Sequence, residues 1–148
     1  MITRCYLEIT NHCNLDCLFC PKTERAKHRL SLDEFELLTD KLIGKVEFLY
    51  FHLMGEPFLH PLLPQFIQIA RQKNFIPVLT TSGTLLSKAQ GVIEARPHKI
   101  QISLHSHEGN AKEHPEEYIR QVMTFAQEAA SQGILIVLRL WNEGGYDT

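Results

Sequence analysis

The sequence predicts an α/β fold built on a parallel sheet. Three observations carry that expectation. Five short apolar runs, at 4–9, 46–53, 76–83, 99–104 and 134–140, alternate with four amphipathic stretches. The second run, "VEFLYFHL", is almost continuously apolar, as a strand covered on both faces should be. The residues with chemical potential gather just after the runs. Strict alternation with buried strands means parallel pairing and right-handed crossovers. An open doubly wound sheet and part of a (β/α) barrel both satisfy this order. A full eight-unit barrel takes about 250 residues, so 148 residues hold nearly five units.

Each element has a local justification. "RCYLEI" (4–9) reads as a strand that runs straight into a cysteine-rich segment, and 21–30 is a charged loop. Ser31 with Glu34 three residues on forms a capping box. It opens a helix with Phe35, Leu38 and Leu42 on one side, and Gly44 stops it. A second helix, about 62–73, aligns Leu63, Phe66, Ile67 and Ala70. Pro77 weakens the start of the third strand but not its middle. Ser87 and Gln90 predict another capping box, for a helix that ends before Pro97. After "KIQISL" (99–104) comes a polar loop with Gly109. Pro115 suits a first helical turn. Tyr118, Val122, Phe125 and Ala129 then repeat at 3.6 spacing, and Gly133 ends that helix before "ILIVLRL" (134–140).

Composition narrows the function classes. Hydrophobic residues are 44% and charged residues 22%, ordinary for a globular domain. With 15 basic against 17 acidic residues, a net charge of −2 gives no reason to expect a nucleic-acid partner. No apolar run is long enough to predict a membrane span, and residues 1–12 carry no signal-peptide pattern. A cytoplasmic, reducing location is the expectation, with thiols free for metal. One domain over 1–148 is expected.

Ligands of parallel α/β folds sit at the carboxyl ends of the strands. Here strand 1 is followed by Asn11, Cys13, Cys17 and Cys20, strand 2 by "MGEPFLHP", and strand 3 by "TTSG". Strand 4 ends in "SLHSH", and strand 5 in Arg139, Trp141 and Asn142. Five polar strand ends predict one composite site. The cysteines, spaced Cys-x3-Cys-x2-Cys, offer three soft ligands and no evident fourth. Structural zinc takes four protein ligands. Cys5, His12 and His28 are the candidates for a fourth, but Cys5 lies within strand 1 and His12 adjoins Cys13. A [4Fe–4S] cluster on three thiolates leaves one iron open.

"ITNHCNLDCLFC" resembles the signature of the radical S-adenosylmethionine (radical SAM) family, with Phe19 as the usual aromatic before the third cysteine. "MGEPFLHP" resembles the family's Gly-Gly-Glu-Pro turn, with Met54 for the first glycine. "TTSGTLL" resembles its Thr-Asn-Gly turn, with Ser82 for the asparagine. The resemblance implies a partial (β/α) barrel of about five units. It implies a [4Fe–4S] cluster on Cys13, Cys17 and Cys20, its open iron chelated by the amino and carboxylate groups of S-adenosyl-L-methionine. Reductive cleavage of that cofactor to a 5′-deoxyadenosyl radical, for hydrogen abstraction from substrate, is the implied activity.

The same resemblance assigns cofactor-binding roles. Gly55 and Glu56 match the turn that receives the cofactor's amino group, and Pro57 stiffens it. Thr81 and Ser82 line the same site. Ser103, in a strand whose Gln101, Ser103 and His105 alternate toward the barrel interior, matches a family serine. Arg139 breaks an apolar strand and suits the cofactor carboxylate; pairing with Glu8 is the alternative. His52, His105 and His107 read as hydrogen-bonded structural histidines. The implied partners are a small-molecule or peptide substrate and an electron donor such as flavodoxin or ferredoxin. The motifs are nearest in character to members that modify peptides or build cofactors, including those with a cysteine-rich SPASM extension. Family domains generally have a sixth strand, and this sequence stops after the fifth. A C-terminally incomplete core is therefore expected, with self-association through the apolar edge of strand 5. The rival readings are a non-catalytic iron–sulfur or zinc-binding protein and an inactive remnant of the family.

Overall fold

The computed structural model describes residues 2–108 and 115–140. The expected loop at Gly109, and Trp141 and Asn142 beyond strand 5, lie outside the described residues. One parallel sheet has the order β1-β2-β3-β4-β5. Its strands are β1 (Ile2–Tyr6), β2 (Val46–Tyr50), β3 (Ile76–Thr81), β4 (Lys99–Ser103) and β5 (Leu135–Arg139). Between them run α1 (Leu32–Leu42), α2 (Leu63–Gln72), α3 (Gln90–Ala95), α4 (His105–Glu108) and α5 (Pro115–Ser131). Sequential neighbours pairing in chain order give one curved layer with helices on its outer side, the arrangement of a partial barrel.

Parallel residues in register share a face. Leu49, Leu79, Ile100 and Ile102 join Phe35, Phe66, Val92, Val122 and Phe125 of the helices in a single core cluster. Phe35 stacks on Phe66 at 4.2 Å and meets Phe51 edge-on at 5.5 Å, tying α1, α2 and the end of β2 together. The opposite, inner face is set by the pairs Arg4↔Phe48, Tyr6↔Tyr50, Tyr50↔Val78, Val78↔Lys99, Thr80↔Gln101 and Ser103↔Arg139.

Several local expectations change. The capping box of α1 is present, with Ser31 and Glu34 each bonding the other's backbone N–H. The second box is absent. Ser87 lies inside a 3₁₀ turn (Leu86–Lys88), and α3 starts after Ala89 with no side-chain cap. Gln90 Nε2 instead donates to Glu94 Oε1, one turn on. Strand 1 begins earlier than expected and ends at Tyr6, because Leu7–Asn11 turn across the strand tops: Leu30 N–H donates to Ile9 O, and Thr10 bridges Arg29. The polar segment after β4 opens with the short helix α4. Strand β5 is the sheet edge among the described residues, as the sequence predicts, but it is not buried on both faces: Leu135 and Leu138 are exposed. Pro77 is accommodated near the start of β3, where its carbonyl still accepts from His98 N–H.

Candidate functional site

The segment after β1 is anchored at its base by Asn11, only 4% exposed. Its Nδ2 donates to Ala26 O at 2.9 Å, and its Oδ1 accepts from His28 N–H at 2.8 Å. Lys27 Nζ donates to Asn11 O. The charged loop thus returns to clasp the start of the cysteine segment. That fixes where the cysteine loop begins.

The turn after β2 packs against the same start. Gly55 has φ +82°, and a Cβ there would lie 2.5 Å from Thr10 O and 2.8 Å from His12 O. Only glycine permits this approach of two backbones. Glu56 N–H donates to His12 O at 2.7 Å. Its carboxylate is buried and accepts from Phe58 N–H, Thr81 Oγ1 (2.8 Å) and Ser82 N–H (2.7 Å). Burial pushes its pKa up, and the three donors oppose that shift. Ser82 Oγ shares a hydrogen bond with Thr84 Oγ1, which also accepts from Asn14 Nδ2. From the outer layer, Tyr118 donates to Ser82 O at 2.6 Å, and burial drives that phenol up to about 12. One connected network therefore joins the cysteine loop, the turns after β2 and β3, and helix α5.

Cys13, Cys17, Cys20, Gly55, Glu56, Ser82, Ser103 and Arg139 all line a single cavity of about 480 Å³. Cys17 is buried, Cys20 half-buried and Cys13 exposed. Leu15 N–H donates to Cys13 Sγ, Cys20 N–H donates to Cys17 O, and Cys17 Sγ lies 4.0 Å from Ser106 O. Burial raises the Cys13 pKa, its backbone hydrogen bond lowers it, and the charges of Glu56, Cys17 and Cys20 raise it further. Negative charge therefore accumulates along this wall whenever the thiols ionise, which a cation would relieve. Among the described residues no three His, Cys, Asp or Glu side chains form a ready metal-ligating group. The donor set still fits an iron–sulfur cluster. Such a cluster supplies its own bridging sulfides and asks only for thiolates at its corners. A four-ligand structural zinc site is not formed among these residues.

Arg139 shares the cavity with the cysteines and lies across from Ser103 in register. The alternative pairing with Glu8 does not form. Glu8 bonds Arg25 and accepts from Met54 N–H at 2.8 Å. The sequence reading named Asn11, His52 and His105 at the strand ends without their contacts, and missed the Asn14–Thr84 pair. Asn11 and the Asn14–Thr84 pair hold the loop, and the adjacency of Asn11 to the cysteine motif was the available signal. His105 is 7% exposed, faces Phe19 edge-on at 5.2 Å and contacts Arg139 O through Nδ1. His52 lines the cavity, and its Nδ1 is buried with no hydrogen-bond partner among the described residues. Burial, then the charge of Arg139, lowers its pKa to about 4, so the ring is neutral.

Comparison with known proteins accords with this geometry. Residues 7–141 match the radical SAM superfamily. The "tungsten-containing aldehyde ferredoxin oxidoreductase cofactor-modifying protein" of Pyrococcus furiosus is 33% identical over 86 residues, covering 55% of this chain and 24% of the relative. The GTP 3',8-cyclase of Chlorobaculum tepidum is 32% identical over 109 residues, covering 66% of this chain and 31% of the relative. The chain thus spans less than a third of the length of these relatives. Among solved structures, Streptococcus suis SuiB bound to S-adenosylmethionine aligns with a TM-score of 0.76 at 15% identity, over 99% of this chain and 36% of that one. BtrN in complex with AdoMet and 2-DOIA aligns at 0.72 and 17% identity, over 94% and 57%. These structures share the strand-and-helix order described above. With its family match running from the end of β1 past β5, and its three spaced cysteines at the first strand end, this chain belongs to the radical SAM superfamily.

Proposed function

We propose that the chain holds a [4Fe–4S] cluster on Cys13, Cys17 and Cys20 and binds S-adenosyl-L-methionine beside it, as the core of a radical enzyme. One observation carries the reading: cysteines from one strand end share a cavity with Gly55, Glu56, Ser82, Ser103 and Arg139 from four others. Arg139 would hold the cofactor carboxylate with its guanidinium. Ser103, beside it in register, hydrogen-bonds the same end or the ribose. The Gly55–Glu56 turn receives the amino group. The Glu56 carboxylate works mainly by holding that turn to Thr81 and Ser82. When bound together, cluster and cofactor supply one-electron cleavage of a carbon–sulfur bond and a radical that takes hydrogen from substrate.

That chemistry needs an electron donor such as flavodoxin or ferredoxin. Leu18, 92% exposed between Cys17 and Cys20, would offer such a donor an apolar contact beside the cysteines. The substrate is a small molecule or a peptide. The first class accords with the relatives named for a cofactor and for GTP, the second with a SuiB structure bound to precursor peptide SuiA.

Anaerobic reconstitution is expected to load about four irons per chain, and Cys17→Ala to lose most of them. Addition of S-adenosylmethionine is expected to change the electron paramagnetic resonance spectrum of the reduced cluster. Arg139→Ala weakens that response by about 2 kcal/mol. One tightly bound zinc in place of iron, or a spectrum indifferent to the cofactor, overturns the proposal.

A further inference from the structure

The chain as a whole is slightly acidic, at −2, yet the inner face of its sheet is not. The register places Arg4, Lys99 and Arg139 on that face and no carboxylate. The acids nearest to it are otherwise engaged. Glu8 is paired with Arg25, Glu56 is held by Thr81 and Ser82, and Asp16 at the cavity rim is paired with Lys22. Glu47 alternates to the other face of β2, next to Phe48.

The same face carries an aromatic ledge. Tyr6 stacks on Tyr50 with centroids 4.7 Å apart, and His52 stands edge-on to Tyr6 at 5.5 Å and meets Tyr50 at 6.1 Å. Lys99 sits over the Tyr50 ring at 5.9 Å. Tyr6 is 53% exposed, so one face of the stack is open. At its upper end His52 lines the adjoining cavity, and its Nδ1 is buried with no hydrogen-bond partner among the described residues. A buried polar nitrogen without a partner is unfavourable, so the ring gains when a small shift on ligand binding lets it be hydrogen-bonded. A neutral imidazole offers that bond without adding a charge beside Arg139.

We propose that this inner face selects a small anionic substrate carrying a planar ring, the ring lying against Tyr6 and hydrogen-bonded by His52, the negative charge facing Lys99. The proposal rests on the reading of the adjoining cavity as the cofactor site. Stacking on an aromatic face and a nearby cation are independent contributions, so each can be tested alone.

Matched probes separate them. Guanosine 5′-monophosphate and indole-3-acetate are charged planar rings. Guanosine and 3-methylindole lack the charge. Ribose 5-phosphate and cyclohexylacetate lack the planar ring. Binding to the reconstituted chain is followed by equilibrium dialysis and by the ring-nitrogen resonances of His52. At least one charged ring is expected to bind about fivefold tighter than both of its controls, and to shift the His52 signals. Lys99→Met abolishes the preference for charge, Lys99→Arg keeps it, and His52→Phe lowers affinity for the ring with the charge preference intact. Charged rings no tighter than their controls overturn the proposal, as does tighter binding of an acidic peptide than of either ring. The cluster's spectral response to S-adenosylmethionine is read on the same samples. Its loss with ring binding retained counts against the cofactor reading alone, and the converse counts against the substrate class alone.

Discussion

The two sides of the strand-end surface are held very differently. On the β1–β3 side, the cysteine loop, the Gly55 turn and the Ser82 turn are cross-tied by Asn11, Glu56, Thr84 and Tyr118 through bonds spanning 15 to 70 residues of sequence. On the β4–β5 side, Ser103 and Arg139 reach the cavity from a central strand and a sheet edge, and Leu138 on that edge is 39% exposed. The contrast teaches how the site divides its work. The first side is tied at the start of the cysteine loop and at both neighbouring turns, while the three thiols still have to converge on anything they ligate. The second side presents charge and hydrogen-bonding groups and leaves more freedom for what binds.

Glu56→Ala gives the largest effect. It leaves Thr81 Oγ1, Ser82 N–H and Phe58 N–H without their buried acceptor, and about 4 kcal/mol of stability is expected to be lost in urea denaturation. Ser103→Ala, on the freer side, is expected to cost under about 1 kcal/mol. Equal losses at the two positions would erase the distinction between the sides.

His52 gives a smaller effect that depends on pH. The folded chain protonates it only near pH 4, whereas an unfolded histidine takes its proton near 6.5. Between those values the unfolded state binds more protons. The stability of the folded chain is therefore fullest above about pH 6.5 and falls as pH drops toward 4, by up to about 3 kcal/mol. His52→Phe flattens that part of the profile. Unfolding curves for both proteins from pH 4 to 7 measure the difference, and parallel profiles would place the imidazole in water.

Leu138→Lys probes the open edge. A charge on an exposed strand discourages edge-to-edge pairing at a cost under about 1 kcal/mol in fold stability. The native chain is expected to self-associate through β5 in sedimentation, and the variant to remain monomeric. Identical sedimentation of the two would move the association elsewhere. The smallest effect is Asn14→Ala. It removes one exposed hydrogen bond to Thr84 and is expected to cost about 0.5–1 kcal/mol. A larger loss would mean that the cysteine loop depends on this single tie.

What the sequence by itself determined follows from short-range rules. The Ser31–Glu34 box closes over three residues, the apolar spacing of α2 and α5 repeats every turn, and the apolar runs are short enough to be strands. Parallel topology places the ends of those strands together, so residues as far apart as Cys13 and Arg139 were legible as one site before any contact was known. The same rules failed at Ser87, whose capping pattern was overridden when the chain tightened into a 3₁₀ turn packed beside α3 and α5. Only the tertiary structure decided that Asn11 clasps the charged loop, that Glu56 binds the next turn, and that His52 stands beside an aromatic ledge with a buried nitrogen unpartnered among the described residues. Those outcomes depend on which distant backbone groups are left unpaired after the sheet has formed. Spacing along one strand carries no record of that.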